Sequence, residues 1–135
     1  VASAGTWGET QTYSDGLAII VGKPLLFQPT STAASHTPPN QGVKWRITVT
    51  NGTRETFTVA LVTVYVKPGT DGEQAEEVFD SAGNLGTHLT GTVLPGASAT
   101  AVYGFDVPQA NLGKIDLEVT PDFTHNSSHW VGSAR

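Results

Sequence analysis

Residues 43–51, Val-Lys-Trp-Arg-Ile-Thr-Val-Thr-Asn, alternate apolar and polar side chains without a break. Successive side chains of an extended chain point to opposite faces. Val43, Trp45, Ile47 and Val49 therefore share one face, and Lys44, Arg46, Thr48 and Thr50 share the other. A β-branched majority with a strict period of two is the pattern of a strand packed on one side and wet on the other. Asn51-Gly52, a pair suited to positive φ, predicts a tight turn at its end.

The other apolar runs read as strands packed beside or across from this one. Residues 9–13 form a first short strand, and Ser14-Asp15-Gly16 turns the chain. Leu17, Ile19, Val21, Leu25 and Phe27 alternate next, interrupted by Gly22 and Pro24, which predict an edge position or a bulge. Residues 56–66 read as one strand whose apolar face changes midway, from Phe57, Val59 and Leu61 to Val62, Val64 and Val66. Residues 76–80, built on Val78 and Phe79, are a short strand. Residues 97–107 and 115–119 are strong ones, and Trp130-Val131 adds a short last one. No window resembles a long amphipathic helix, and 15 Gly and 8 Pro punctuate the chain. This composition predicts an all-β fold, an immunoglobulin-like β-sandwich of about seven to nine mostly antiparallel strands. Residues 1–8 have no periodicity and read as a loose lead-in, with 9–135 as a single sandwich domain.

Charge narrows the partners. The net charge is −5, with only 7 Lys and Arg in 135 residues, and nucleic acid or an anionic surface needs a clustered basic footprint. No apolar run approaches the roughly 20 residues of a membrane span. With no cysteine, disulfides, thiolate metal sites and Cys nucleophiles are excluded together. Ala2-Ser3-Ala4 is small-residue sequence of the kind found near an export cleavage site.

Catalytic motifs do not stand out. Gly96-Ala97-Ser98 begins a nucleophile elbow but lacks the second glycine and the helix, so Ser98 reads as an ordinary outward strand residue. His125 and His129 with Asp122 suggest a two-histidine, one-carboxylate metal site. The turn residues between them argue for exposed loop histidines instead; His36 and His88 are the other two histidines. Asp71, Glu73, Glu76, Glu77 and Asp80 form an acidic run that matches no calcium loop and reads as a solvated face. Asn51 and Asn126 stand in N-glycosylation patterns. No catalytic residue, metal ligand or cofactor is assigned, and the partner expected is a protein or a cell-envelope polymer. Residues 29–42 read as a long mobile loop whose segment 31–40 could be replaced without loss of the fold. Strand reversal gathers it with 67–75 and 108–113 at one end, where His36, Asn40, Asp71 and Asn111 would receive a partner.

In order and spacing, several of these motifs resemble one family. They are Tyr13-Ser14-Asp15-Gly16-Leu17, residues 45–52, Val78-Phe79-Asp80, Leu94-Pro95-Gly96, Phe105-Asp106-Val107-Pro108 and Leu117-Glu118-Val119. Together they cover most of 9–121. The chain resembles the immunoprotective-antigen-like extracellular domains of exported actinobacterial and other bacterial proteins, which have an immunoglobulin-like fold. The resemblance implies a secreted or lipid-anchored cell-envelope protein without enzyme activity, any anchor lying in residues before Val1. It carries over no catalytic residue. The rival readings are a carbohydrate-binding module, and a small hydrolase or metal carrier built on convergent carboxylates or histidines.

Overall fold

The computed structural model describes residues 4–70, 72–83, 85 and 88–135. Ala2 and Ser3 of the export-like tripeptide, Asp71 of the acidic run, and positions 84, 86 and 87 lie outside them.

The strands are β1 (Thr10–Thr12), β2 (Leu17–Val21), β3 (Leu25–Phe27), β4 (Gln41–Asn51), β5 (Phe57–Thr58), β6 (Thr63–Pro68), β7 (Glu76–Glu77), β8 (Thr92–Val93), β9 (Ser98–Val107), β10 (Ile115–Thr120) and β11 (Ser128–Gly132). One sheet runs β1-β2-β4-β9-β7, with β3 also paired to β4. A second runs β11-β10-β6, and β5 and β8 make a separate ribbon. Every ladder is antiparallel.

The alternating stretch 43–51 falls in the middle of the larger sheet, because its inward face is the longest apolar face available. Val43, Trp45, Ile47 and Val49 are fully buried beside Leu17, Ile19 and Val21 of β2, and Phe105 and Val107 of β9 lie with them. Val66, Ile115, Leu117, Val119 and Trp130 supply the facing layer. Phe57 joins the same core. The fold is an all-β sandwich, as the alternation requires.

Eleven strands appear among the described residues rather than seven to nine, because two runs read as continuous are broken. After β2 the chain leaves β4 and rejoins it. Val21 faces Ile47 and Leu25 faces Lys44, so four steps on this edge match three on β4. That extra residue is the bulge expected at Gly22 and Pro24. It also shifts the phase, and Leu25, expected inward, is 62% exposed. Residues 56–66 are not one strand: a 3-10 turn at Val59–Leu61 separates β5 from β6. The switch of apolar face therefore marks a crossing between the ribbon and the smaller sheet, since β5 pairs with β8 and β6 with β10.

Asn51-Gly52 is not a positive-φ hairpin turn. Asn51 is the last residue of β4, fully buried, and Gly52 is absent from the left-handed region. The glycine is needed for a different reason: a Cβ there would lie 2.3 Å from the Gly16 carbonyl oxygen.

The lead-in is packed from Gly5 onward. Gly5 pairs in parallel with Trp130, and the Trp7 ring lies 5.5 Å from that of Trp45. Trp7 Nε1 donates to the Ser133 carbonyl at 2.9 Å.

Loop 29–42 is pinned by two buried aspartates. Asp80 accepts from the Thr30 amide and the Thr32 hydroxyl, both at 2.7 Å. Asp106 accepts from the Thr37 amide at 3.1 Å and Asn40 Nδ2 at 3.0 Å, and it meets His36 Nδ1 at 2.7 Å. Ala34 also bridges to Phe79. The expectation of a freely replaceable loop is thus corrected: replacing 31–40 would strip donors from both carboxylates.

Candidate binding groove

The larger sheet ends at β1 and the smaller at β11, and the two edge strands face each other across a seam that no backbone ladder closes. The phase of β1 turns Thr10 and Thr12 outward and Gln11 and Tyr13 partly inward. Those two side chains cross the gap. Gln11 Nε2 donates to the His129 carbonyl at 2.6 Å. The Tyr13 hydroxyl donates to the Asn126 carbonyl at 2.5 Å and meets Ser128 Oγ at 2.7 Å. Burial raises the Tyr13 phenol above its usual pKa despite the Ser128 bond, which keeps it a donor.

Above these bridges lies a groove of about 540 Å³, lined by β1, the Tyr13-Ser14 turn, Asn126, Ser128 and, at its far end, Ala4 and Gly5. Its lining is hydroxyl, amide and backbone. The one carboxylate in it, Glu9, accepts from the Thr6 amide at 2.6 Å.

His125, next in sequence to Asn126 of the lining, clasps two carboxylates. Its Nδ1 meets Asp122 Oδ1 at 2.8 Å and its Nε2 meets Asp15 Oδ2 at 2.7 Å. The ring thereby ties the β10–β11 connection to the β1–β2 turn. Tyr13 and Phe57 meet it edge-on. Burial by itself would lower the His125 pKa, but the hydrogen bonds and charges of Asp122 and Asp15 outweigh burial and raise it. For Asp122, burial would raise the carboxyl; donors from the His125 ring, the Thr124 amide and the His125 amide outweigh it and bring it to about 2. Asp15 is lowered too, its burial outweighed by the Leu17 amide and then the His125 ring.

These shifts fix the sign of a pH effect. The raised histidine contributes stability that is complete below its ordinary value near ~6.5 and is lost as pH rises through the folded value. The lowered carboxylates contribute above their ordinary ~3.9 and fade as pH falls towards about 2. His125→Ala is therefore expected to cost most between about pH 4 and 6.5, on the order of 1 kcal/mol because Asp15 is half-exposed. Denaturant titrations of both proteins across pH check this, and a difference that is flat with pH would rule out an ionic clasp.

The metal reading of the sequence does not assemble. His129 Nδ1 turns to Asp116 at 2.8 Å, away from the pair that holds His125. Among the described residues no three His, Cys, Asp or Glu side chains converge to hold a metal ion. His88 meets Glu77, and each of the four histidines stands against a carboxylate. His125 is partly buried and His129 lies in β11, so neither is an exposed loop histidine, whereas His88 is exposed outside any strand.

The acidic run disperses as well. Asp80 is buried, its carboxyl held at about 2 by the Thr30 hydroxyl, the Thr30 amide and then the Thr32 hydroxyl. Glu73 and Glu76 line a smaller hollow of about 240 Å³, in which residues of all three loops expected at one end, 29–42, 67–75 and 108–113, do meet. Asn51 is buried and cannot accept a glycan, whereas Asn126 is exposed at the groove. Ser98 bonds Thr50 across the outward face at 2.8 Å. Trp45 and Trp130 are fully buried, so neither offers a stacking platform.

No protein-family model matches the chain, and no curated protein matches it in sequence. Among solved structures it is similar to β-sandwich proteins. The yjhA protein from Bacillus subtilis superposes with a TM-score of 0.71 at 15% identity, over 94% of this chain and 97% of that one. A candidate lipoprotein, ycdA, from the same organism gives 0.74 at 15%, over 98% of this chain but 39% of the longer one. The secreted protein MPT63 from Mycobacterium tuberculosis gives 0.58 at 17%, over 96% and 97%. At such identities the likeness is one of fold.

Proposed function

We propose that this chain is an exported, non-enzymatic binding module of the immunoprotective-antigen-like kind, and that its ligand lies in the groove between β1 and β11. The observation that carries the reading is a division of labour among the polar groups. The histidines and the most strongly shifted carboxylates are spent on internal pairs. Apart from Glu9, whose carboxylate accepts from the Thr6 amide, the groove offers neutral donors and acceptors beside an unpaired strand edge. Neutral polar surfaces fix a ligand without activating a bond, whereas acid–base or nucleophilic catalysis needs a titratable group aimed at the substrate. Export is supported by neighbours described as secreted or as a candidate lipoprotein. A protein or a cell-envelope polymer remains the partner class.

The test is a backbone amide spectrum titrated separately with soluble cell-wall glycan fragments and with peptide pools. Shifts are expected at residues 9–14 and 126–128, with the ligand recovered unchanged. Thr12→Trp, which sets a large ring at the groove mouth, is expected to abolish them. Shifts gathered instead at Thr37, Asn40 and Asn111 would move the binding surface to the loop end, and a chemically altered ligand would make the protein an enzyme.

A further inference from the structure

We infer that the groove takes an extended polypeptide segment of a partner protein as an added strand, running parallel to β11 and alongside β1. The inference rests on the groove being the binding site and adds the class of ligand. Width is the first observation. Where β1 and β11 face each other they are joined by Gln11 and Tyr13 reaching the carbonyls of His129 and Asn126. The two backbones are therefore held apart by a side chain plus a hydrogen bond, more than the ~4.8 Å spacing of neighbouring strands.

Gly5 shows that extended chain fits there. Its amide donates to the His129 carbonyl at 2.9 Å, and its carbonyl accepts from the Val131 amide at 2.8 Å. In the direction a Gly5 Cβ would take lie the side-chain ends of Gln11 and Glu9. This piece of chain fills the seam at the Trp130 level, and the groove is the continuation of the same slot towards Asn126.

The free edge supplies the third observation. The Tyr13 amide donates to the Leu17 carbonyl at 2.7 Å. With Gln11 opposite Ile19, the antiparallel alternation turns the backbone groups of Gln11 and Tyr13 to β2 and those of Thr10 and Thr12 to the groove. A polypeptide offers amides and carbonyls at the repeat such an edge requires, which a glycan does not. The slot also limits sequence. A Cβ on Gly5 would lie 3.0 Å from Gln11 Nε2 and 3.1 Å from Glu9 Oε1, two flexible side-chain ends, so the slot favours small residues where an added strand passes them, and proline is excluded where a ladder donor is needed.

The experiment pans a random library of short peptides on the intact chain, with Thr12→Pro as the counter-selecting protein. Proline there removes only the groove-facing donor of an edge strand, a position where it is tolerated. Enriched peptides are expected to favour small residues and to slow hydrogen exchange at the Thr10 and Thr12 amides. They are expected to lose affinity about tenfold either on Thr12→Pro or when one of their own ladder amides is N-methylated. The N-methylated peptides keep the test sound if the proline variant folds poorly. The inference is overturned if no peptide depends on these amides, or if binding appears only after residues 1–3 are removed, which would make this chain's own leading segment the occupant. It is overturned too if glycan fragments alone shift groove residues, an outcome that leaves the groove as the binding site. Silence of the groove towards both ligand classes would sink the functional reading itself.

Discussion

Trp45→Ala is expected to lower the unfolding free energy by about 3–5 kcal/mol, the range for truncating a large buried aromatic. Trp45 sits at the centre of β4 with no exposed surface. Its ring meets Phe105 at 6.1 Å and Trp7 at 5.5 Å, and the strands on both sides are fixed by their own ladders. Collapse around the cavity is therefore limited. Trp45→Phe is expected to cost much less. Its indole Nε1 is buried without a partner, and phenylalanine removes that orphaned donor along with the smaller part of the volume. Denaturant midpoints of both variants, at unchanged slope, make the comparison. Trp45→Ala should also loosen the start of the chain, because Trp7 loses the ring it rests on. Faster exchange of the Gly5 and Val131 amides would register that. An unchanged midpoint for Trp45→Ala would contradict its place in the interior.

The inward faces of β4 from Val43 onward and of β10 were legible because each keeps a period of two, and periodicity is what a one-dimensional pattern carries. Breaks in phase were harder. The face switch within 56–66 signalled a discontinuity, but a bulge and a 3-10 crossing between sheets leave the same trace in sequence. The two buried aspartates were invisible for another reason. Asp80 stands within an acidic run and Asp106 in a strand, and neither looks buried until the Thr30, Thr32, Thr37 and Asn40 donors arrive from a loop far away in sequence.

The groove was missed in the same way. It joins residues 5–14 to 126–130, and its Gln11–His129 bond spans 118 positions. Small signals were present at both ends. Gly132 gives way to the Trp7 indole, whose Nε1 would lie 2.6 Å from a Cβ there. Such a glycine inside a strand marks another group approaching closely. The histidines near 125–129 lie close to the groove in sequence, but His125 turns to Asp122 and Asp15 and His129 to Asp116.

Asn51 carries the other large expectation. Its Nδ2 donates to the Glu55 carbonyl at 2.7 Å and the Val93 carbonyl at 2.8 Å, and its Oδ1 accepts from the Thr53 amide at 3.0 Å and hydroxyl at 2.6 Å. One buried amide thus ties the end of β4 to β8 and shapes the 52–55 turn, which holds Gly52 against Gly16. Asn51→Ala takes the side-chain donor from the Val93 carbonyl and the acceptor from the Thr53 amide, leaving the Glu55 carbonyl only the Thr53 hydroxyl at 2.9 Å, and is expected to cost about 2–4 kcal/mol. Asn51→Asp keeps the shape and the acceptor but sets a carboxylate oxygen against two carbonyl oxygens. Burial and those carbonyls disfavour the charged form, so the folded protein holds the proton more tightly than the unfolded chain, whose carboxyl titrates near ~3.9. The penalty of ionisation is then absent below that value and complete above the raised folded one. The midpoint gap between Asn51→Asp and the parent protein is expected to widen from about pH 4 to pH 7, whereas the gap for Asn51→Ala stays nearly constant. Parallel urea titrations at the two pH values decide it. A gap that does not widen for the aspartate would show that the Glu55 and Val93 carbonyls do not depend on the Asn51 amide nitrogen, and the tie between β4 and β8 would then rest on packing alone.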